Sequence, residues 1–220
     1  MVKEINLYTD KIIEVTPFGV DINQFKPVNF ISIFDKGDIV IGTVKSLEEV
    51  YGIEYLIKAF KIVSDRYPKM PLKLMIVGDG SLKKELEQLT ENLNLEDKTV
   101  FTGKVPSVDI PKYQNMLSVS VSVSNSESFG VAIIEASACE KPVVVSDVGG
   151  LPEVVVDDIT GIVVPSKNPQ RTAEAIERLI LDENLRENMG KSGRKRVEEL
   201  YDWDDNVKQM INIYKDMLNA

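Results

Sequence analysis

Short runs of β-branched and aliphatic residues recur along this chain, separated by segments of helical periodicity. The runs IIEVT (12–16), DIVIGTV (38–44), LKLMIVG (72–78), TVFTG (99–103), LSVSVSVS (117–124), PVVVS (142–146) and GIVVP (161–165) read as strands. Between them, Ile53, Leu56, Ile57, Phe60 and Val63 fall at i, i+3, i+4, i+7 spacing. Leu82, Leu86, Leu89 and Leu93 do the same, as do Ala173, Ala175, Ile176, Leu179 and Ile180. Val207, Met210, Ile211, Tyr214, Met217 and Leu218 form one more stripe near the C-terminus.

Strand and helix therefore alternate five or six times. That pattern predicts an α/β fold: one Rossmann-like, doubly wound parallel sheet of about six strands with helices on both faces. Residues 1–30 are turn-rich and irregular, and read as a linker or lead-in. Residues 31–220 form the domain, closing in helices. In such sheets ligands bind at the carboxyl ends of the strands, so the loops there are the candidate site.

Composition narrows the chemistry. Of 220 residues, 43% are hydrophobic and 28% charged, with a net charge of −9. An acidic surface argues against a sequence-independent nucleic-acid binder. The one basic cluster, Lys191 to Arg196, reads as a solvated helix face, with a phosphate or membrane contact as the alternative. Histidine is absent and Cys139 is the single cysteine. A Ser-His-Asp triad, a Cys-His pair, an HExxH site and a disulfide within the chain are thereby excluded, and no metal site is expected. Cys139 reads as a small buried hydrophobe in a reducing compartment. No window suits a transmembrane helix. A cytoplasmic location is expected, or one peripheral to the inner face of a membrane.

Candidate chemistry lies in the loops after the strands. Lys45 follows the 38–44 run and could reach a phosphate. In SNSESFG, Ser128 reads as a helix N-cap and Gly130 as a first-turn residue. The helix start is either a plain capped helix or an anion site made by free N–H groups and the helix dipole. Glu127 and Glu135 bracket it. Eight helical residues turn through roughly 80°, so both carboxylates could face one ligand and accept hydrogen bonds from vicinal hydroxyls. The alternative for Glu135 is a surface ion pair. GDGS (78–81) and DVGG (147–150) are strand-to-helix turns where close backbone approach is the plainer reading.

Taken in order, TPFGVDINQFKP, LMIVGDGSLKKELE, VFTGKVP, SESFGVAIIEASACEKPVVVSDVGGLPEVVVDDITGIVVP and YDWDD resemble the C-terminal half of GT-B glycosyltransferases. The match is to the retaining, glycogen-synthase-like family four, and it runs from about Val15 to Ala220. The resemblance implies a domain that binds a nucleoside-diphosphate sugar for transfer of a hexose-type sugar, with no cofactor and no catalytic metal. It implies that Glu135 holds the ribose hydroxyls and that Glu127, as the catalytic-site carboxylate, faces the donor sugar. It assigns the backbone of Ser128, Phe129, Gly130 and Val131 to the sugar and diphosphate. Gly103, Lys104 and Val105 are assigned to the base pocket, and Lys45 to the diphosphate.

The chain departs from the family pattern in three places. The N-terminal GT-B domain, with the acceptor site and a histidine, is missing or supplied by another chain, and the last helix is expected to have packed on it. Val50 and Tyr51 stand where the family carries a second diphosphate lysine. Serines replace the usual aspartate and aromatic in LSVSVSVS. The alternative functions are a non-catalytic nucleotide-sugar-binding or regulatory module, and a fragment of a GT-B sugar-nucleotide epimerase.

Overall fold

A computed structural model describes residues 13–29 and 31–219. Six strands form one sheet: β1 (Ile39–Val44), β2 (Leu72–Val77), β3 (Thr99–Gly103), β4 (Val119–Ser122), β5 (Val143–Ser146) and β6 (Gly161–Val164). Every pairing is parallel, and the order is β3-β2-β1-β4-β5-β6. The predicted architecture is therefore present. The strand expected over 12–16 is not: residues 13–16 have no regular structure, and Ile12 lies outside the described residues.

The helices are α1 (Ile53–Arg66), α2 (Lys83–Asn92), α3 (Ile110–Met116), α4 (Val131–Ala138), α5 (Leu151–Val154), α6 (Pro169–Leu181), α7 (Glu183–Leu200) and α8 (Trp203–Asn219). They divide between the sheet faces by strand alternation. Ile41, Leu74, Val119, Val121, Val144 and Ile162 point to the face covered by α1 and α6, whose Leu56, Phe60, Ile176 and Leu179 are buried with them. Val143 and Val145 point to the other face and meet Ile133, Ile134 and Val197 from α4 and α7. Met75 and Val77 on that same face pack on Met116 of α3. Both faces are covered, which is why most strand runs are apolar at consecutive positions, with the Val–Ser alternation of β4 the exception.

Local chemistry sets the helix ends. The Asn168 side chain accepts from the Arg171 N–H at 3.0 Å, and Pro169 opens α6. Asp182 caps α7 by accepting from the Leu185 N–H at 2.9 Å. Cys139 is buried, as its apolar surroundings predicted, and burial pushes its thiol up to about 12.

The lead-in packs on the domain. Val20 and Phe25 are buried, and the Val20 N–H donates to the Tyr201 carbonyl at 2.8 Å while its own carbonyl accepts from the Trp203 N–H at 3.1 Å. The basic cluster also differs from its reading as a solvated face. Arg196 Nε donates to the Val154 carbonyl and its Nη2 to the Glu153 carbonyl, both at 2.8 Å. Arg194 donates to the carbonyls of Ala138 and Phe25. These two arginines tie α7 to carbonyls at the ends of α4 and α5; Lys191 and Lys195 stay on the surface, paired with Glu187 and Glu199. The last stripe, on α8, is largely uncovered: Ile211, Tyr214, Met217 and Leu218 are exposed. Among the described residues no helix is long and apolar enough to cross a membrane.

Candidate nucleotide-binding crevice

β1 and β4 are neighbours whose onward connections run to opposite sides of the sheet, β1 toward β2 and β4 toward β5. The loops at their carboxyl ends must diverge, and the gap between them is the crevice such folds use for ligands. Lys45 stands directly after β1, and its N–H donates to the Val77 carbonyl at 2.9 Å. Residues 123–130 follow β4. Asn125 and Ser126 donate backbone N–H groups to the Val50 carbonyl at 2.8 and 3.3 Å, and the Asn125 side-chain amide donates to the Glu49 carbonyl at 2.8 Å. The two loops are thus fastened together across the switch point.

Glycines hold the loops against their supports. A Cβ at Gly78 would come within 1.9 Å of the Lys45 carbonyl oxygen, and one at Gly149 within 1.7 Å of the Glu127 carbonyl oxygen. GDGS thus carries the Lys45 loop and DVGG carries the Glu127 loop by close backbone approach. This is the plainer of the readings their sequences allowed.

At the crevice the Lys45 ammonium donates to a Glu127 carboxylate oxygen. Both side chains are largely enclosed, at 12% and 10% exposure. The Tyr51 ring lies under the same ammonium, 4.4 Å from nitrogen to ring centroid. The place where a second lysine was expected therefore holds an aromatic face toward the first. Glu135 is half-buried on α4. Burial pushes its carboxyl up to about 7, opposed by a hydrogen bond from Gln114 and by the charge of Lys45. No ion pair to Glu135 occurs among the described residues, so the surface-bridge alternative fails.

The helix start differs from its sequence reading. Ser128 does not cap it: α4 begins at Val131, with Gly130 at the N-cap in a left-handed conformation (φ 104°) and no side-chain cap. No side-chain oxygen caps this end, the Ile133 N–H donates to the Gly130 carbonyl at 2.9 Å, and the helix dipole points its positive end outward. Phe129 directly precedes this N-cap. Its ring turns away and packs on Phe18 and Tyr201, at centroid distances of 5.4 and 5.6 Å.

Beside Lys45 a cavity of about 380 Å³ opens over the ends of β1, β2 and β3, lined by Lys45, Ser46, Gly78, Asp79, Lys104 and Val105 among others. Gly103 borders it through β3, accepting from the Gly78 N–H at 3.1 Å. The predicted residues therefore fall into two neighbouring groups that share Lys45: Gly103, Lys104 and Val105 at the cavity, and Glu127 to Val131 with Glu135 at the α4 start. Sequence reasoning missed Gln114, Asp79 and Ser46. Gln114 carries no local signal, being one polar residue in a short amphipathic helix, whereas Asp79 and Ser46 sit in strand-end loops already under suspicion. Among the described residues no cluster of three carboxylate, thiol or imidazole groups could hold a metal ion.

A six-stranded parallel sheet with a cation, two carboxylates and a helix N-terminus without a side-chain cap at its switch point defines a Rossmann-like domain of the kind found in GT-B enzymes. The chain belongs to the glycosyl transferases group 1 family, whose model matches residues 25–196. An uncharacterized glycosyltransferase of Methanocaldococcus jannaschii is 35% identical over 206 residues, covering 91% of this chain and 52% of that protein. The C-terminal domain of a group 1 glycosyl transferase from Francisella tularensis superposes with a TM-score of 0.76 at 28% identity, covering 84% of this chain and 99% of that one. The Anabaena protein HepE, solved with UDP and glucose, gives a TM-score of 0.79 at 25% identity, covering 90% of this chain and 55% of that one. The chain thus spans about half the length of the full-length relatives it matches.

Proposed function

We propose that this domain binds the nucleoside-diphosphate-sugar donor of a retaining glycosyltransferase that transfers a hexose-type sugar. The observation that carries the reading is the meeting of Lys45 and Glu127 at the switch point, beside both the open start of α4 and the cavity at Lys104 and Val105. That HepE was solved with UDP and glucose supports a ligand of this class.

In this reading the base enters the cavity against Gly103, Lys104 and Val105. The diphosphate lies over the first-turn N–H groups of α4 and recruits Lys45, whose positive charge and the helix dipole stabilise the departing diphosphate. Lys45 then exchanges Glu127 for phosphate oxygens, and Glu127 is released to accept hydrogen bonds from the sugar hydroxyls. Glu135 accepts from the ribose pair. The two glutamates are not a glycosidase acid and nucleophile. That chemistry places carboxyl groups on two sides of a scissile bond, and here both come from one loop–helix corner.

The acceptor would bind on a second domain closing over this crevice, consistent with relatives about twice as long. The exposed apolar stripe of α8 suits packing against it. A second reading, a binding module without turnover, is favoured by Tyr51 standing where a second diphosphate cation was expected. Titration calorimetry with UDP-, GDP- and ADP-sugars tests the proposal. Binding of one of them, abolished by a Lys45→Ala and Glu135→Ala double substitution, is expected; no binding to any would overturn it. Turnover of the bound sugar, measured with the complete protein, separates the enzyme from the module.

A further inference from the structure

Phe18 lies in the lead-in and is 62% exposed. A phenyl ring left mostly in water forgoes most of the burial that makes an aromatic residue useful to a core. Its backbone is nevertheless fixed. The Asn206 side-chain amide, from α8, donates to the Pro17 and Phe18 carbonyls at 3.4 and 3.3 Å. Val20 donates its N–H to the Tyr201 carbonyl and accepts from the Trp203 N–H. Between these contacts a Cβ at Gly19 would lie 2.7 Å from the Trp203 Cα, so the lead-in lies directly on the junction of α7 and α8. The ring that this clasped backbone carries packs on Phe129, at 5.4 Å between centroids and 55° between planes. Phe129 in turn meets Tyr201 edge to face, at 5.6 Å and 79°.

We infer that Phe18 is a positioning residue for the start of α4: clasped to the α7–α8 junction, it braces Phe129 and thereby holds Gly130 and the first helical turn where a diphosphate docks. The inference rests on the reading of that turn as the diphosphate site. Gly130 follows Phe129 directly and is the N-cap of α4, with a φ of 104°. Its carbonyl accepts from the Ile133 and Ile134 N–H groups at 2.9 and 3.3 Å, so the place of Gly130 sets the first turn. A glycine has no Cβ to restrict its own backbone, and such a turn must be held by its neighbours. Part of that support is backbone: a Cβ at Gly150 would lie 2.5 Å from the Ser128 carbonyl oxygen and 2.9 Å from the Phe129 Cα. The rest comes through the Phe129 ring. Tyr201, at 7% exposure, supports it from the core, and Phe18 supports it from the surface. A residue so exposed adds little to folding, so its contribution can be read at the site without unfolding the domain.

The test compares Phe18→Ala and Phe18→Tyr with the unsubstituted protein. Amide hydrogen exchange of the ligand-free protein is read by NMR at Ile133 and Ile134, which report the first turn of α4, and at Val20 and Trp203, which report the clasp. In Phe18→Ala, exchange at Ile133 and Ile134 should quicken several-fold while Val20 and Trp203 keep their rates. Phe18→Tyr keeps the ring and should keep the unsubstituted rates. By calorimetry, Phe18→Ala should lose affinity several-fold, and by a similar factor, for UDP and for inorganic pyrophosphate, because the displaced turn meets the diphosphate. Its thermal unfolding should change little. Phe18→Leu serves if the Ala variant does not fold, with smaller changes in the same direction. Unaltered exchange at Ile133 and Ile134 overturns the inference, as does unchanged UDP affinity. So does faster exchange at all of these amides together with a lowered melting temperature, the mark of a ring that only holds the lead-in down. Failure of the unsubstituted protein to bind UDP or any other nucleotide would instead overturn the donor-site reading. The ligand-free exchange still decides whether Phe18 braces α4.

Discussion

Lys45 and Glu127, 82 residues apart in sequence, form an ion pair at the switch point of the sheet, with the Tyr51 ring beneath the ammonium. Each is largely shielded from water, so in the proposed reading a bound diphosphate has to open the pair. Removing one partner leaves the other enclosed and uncompensated, which costs more than the pair itself contributes. Lys45→Met should therefore lower stability by about 1–3 kcal/mol, and adding Glu127→Gln should recover much of that loss. Urea unfolding of the two single variants and the double variant checks this. UDP affinity should stay low in the double variant, because the diphosphate has still lost its cation.

Glu135 is expected to act through hydrogen bonds to hydroxyls. Glu135→Ala should weaken UDP binding by about 1–3 kcal/mol, the range for losing hydrogen bonds to a charged group. The same substitution should leave inorganic pyrophosphate binding unchanged, since pyrophosphate has no ribose. Calorimetry with both ligands is the measurement, and equal losses for the two would assign Glu135 to the diphosphate instead.

Burial that raises the Glu135 carboxyl from 4.5 to about 7 also makes stability depend on pH. The folded state favours the protonated form, so this contribution is fully present below about pH 4.5 and is lost as pH rises through 7. Its full size is on the order of 3 kcal/mol, at ~1.4 kcal/mol per pH unit. The melting temperature of the ligand-free protein should carry a component that falls between pH 5 and 7.5, and Glu135→Gln should remove that component. If Glu135 accepts from the ribose hydroxyls, as proposed, UDP should bind more tightly over the same interval.

Much of the sheet was legible because parallel strands covered on both faces are written as continuous apolar runs, and VVVS or IVIGTV admit little else. Where the pattern was mixed, the reading loosened. LSVSVSVS yields only Val119–Ser122 as strand. Its valines join the α1 and α6 face, leaving the serines for the face of α3 and α4. The α4 start was displaced because Ser128 has the chemistry of a cap, whereas the backbone turns at Gly130. Arg194 and Arg196 looked solvated because charge patterning says nothing about distant carbonyls. In the site, strand-end loops exposed Lys45, Glu127 and Glu135 as candidates. The pairing of Lys45 with Glu127 depends on contacts between segments far apart in the chain, which no local pattern encodes.

Gly149 offers a test of how the Glu127 loop is held. Its φ is 53°, a region that disfavours residues with a Cβ, and a Cβ there would lie 1.7 Å from the Glu127 carbonyl oxygen. That oxygen also accepts from the Gly150 N–H at 3.1 Å. A methyl group therefore cannot be absorbed by a side-chain rotation; the backbone of one loop must shift. Gly149→Ala should cost about 2–4 kcal/mol of stability, combining the left-handed backbone with the clash. Because the shift falls on Glu127, UDP-sugar affinity should fall more than UDP affinity in the folded fraction at low temperature. Gly37→Ala is the control: its φ is 108° but a Cβ there meets nothing within 4 Å. It should show only the conformational cost, about 1–2 kcal/mol, with both affinities intact. A Gly149→Ala protein as stable as Gly37→Ala would show that the two loops yield to each other, and that Glu127 is held in place by Lys45 alone.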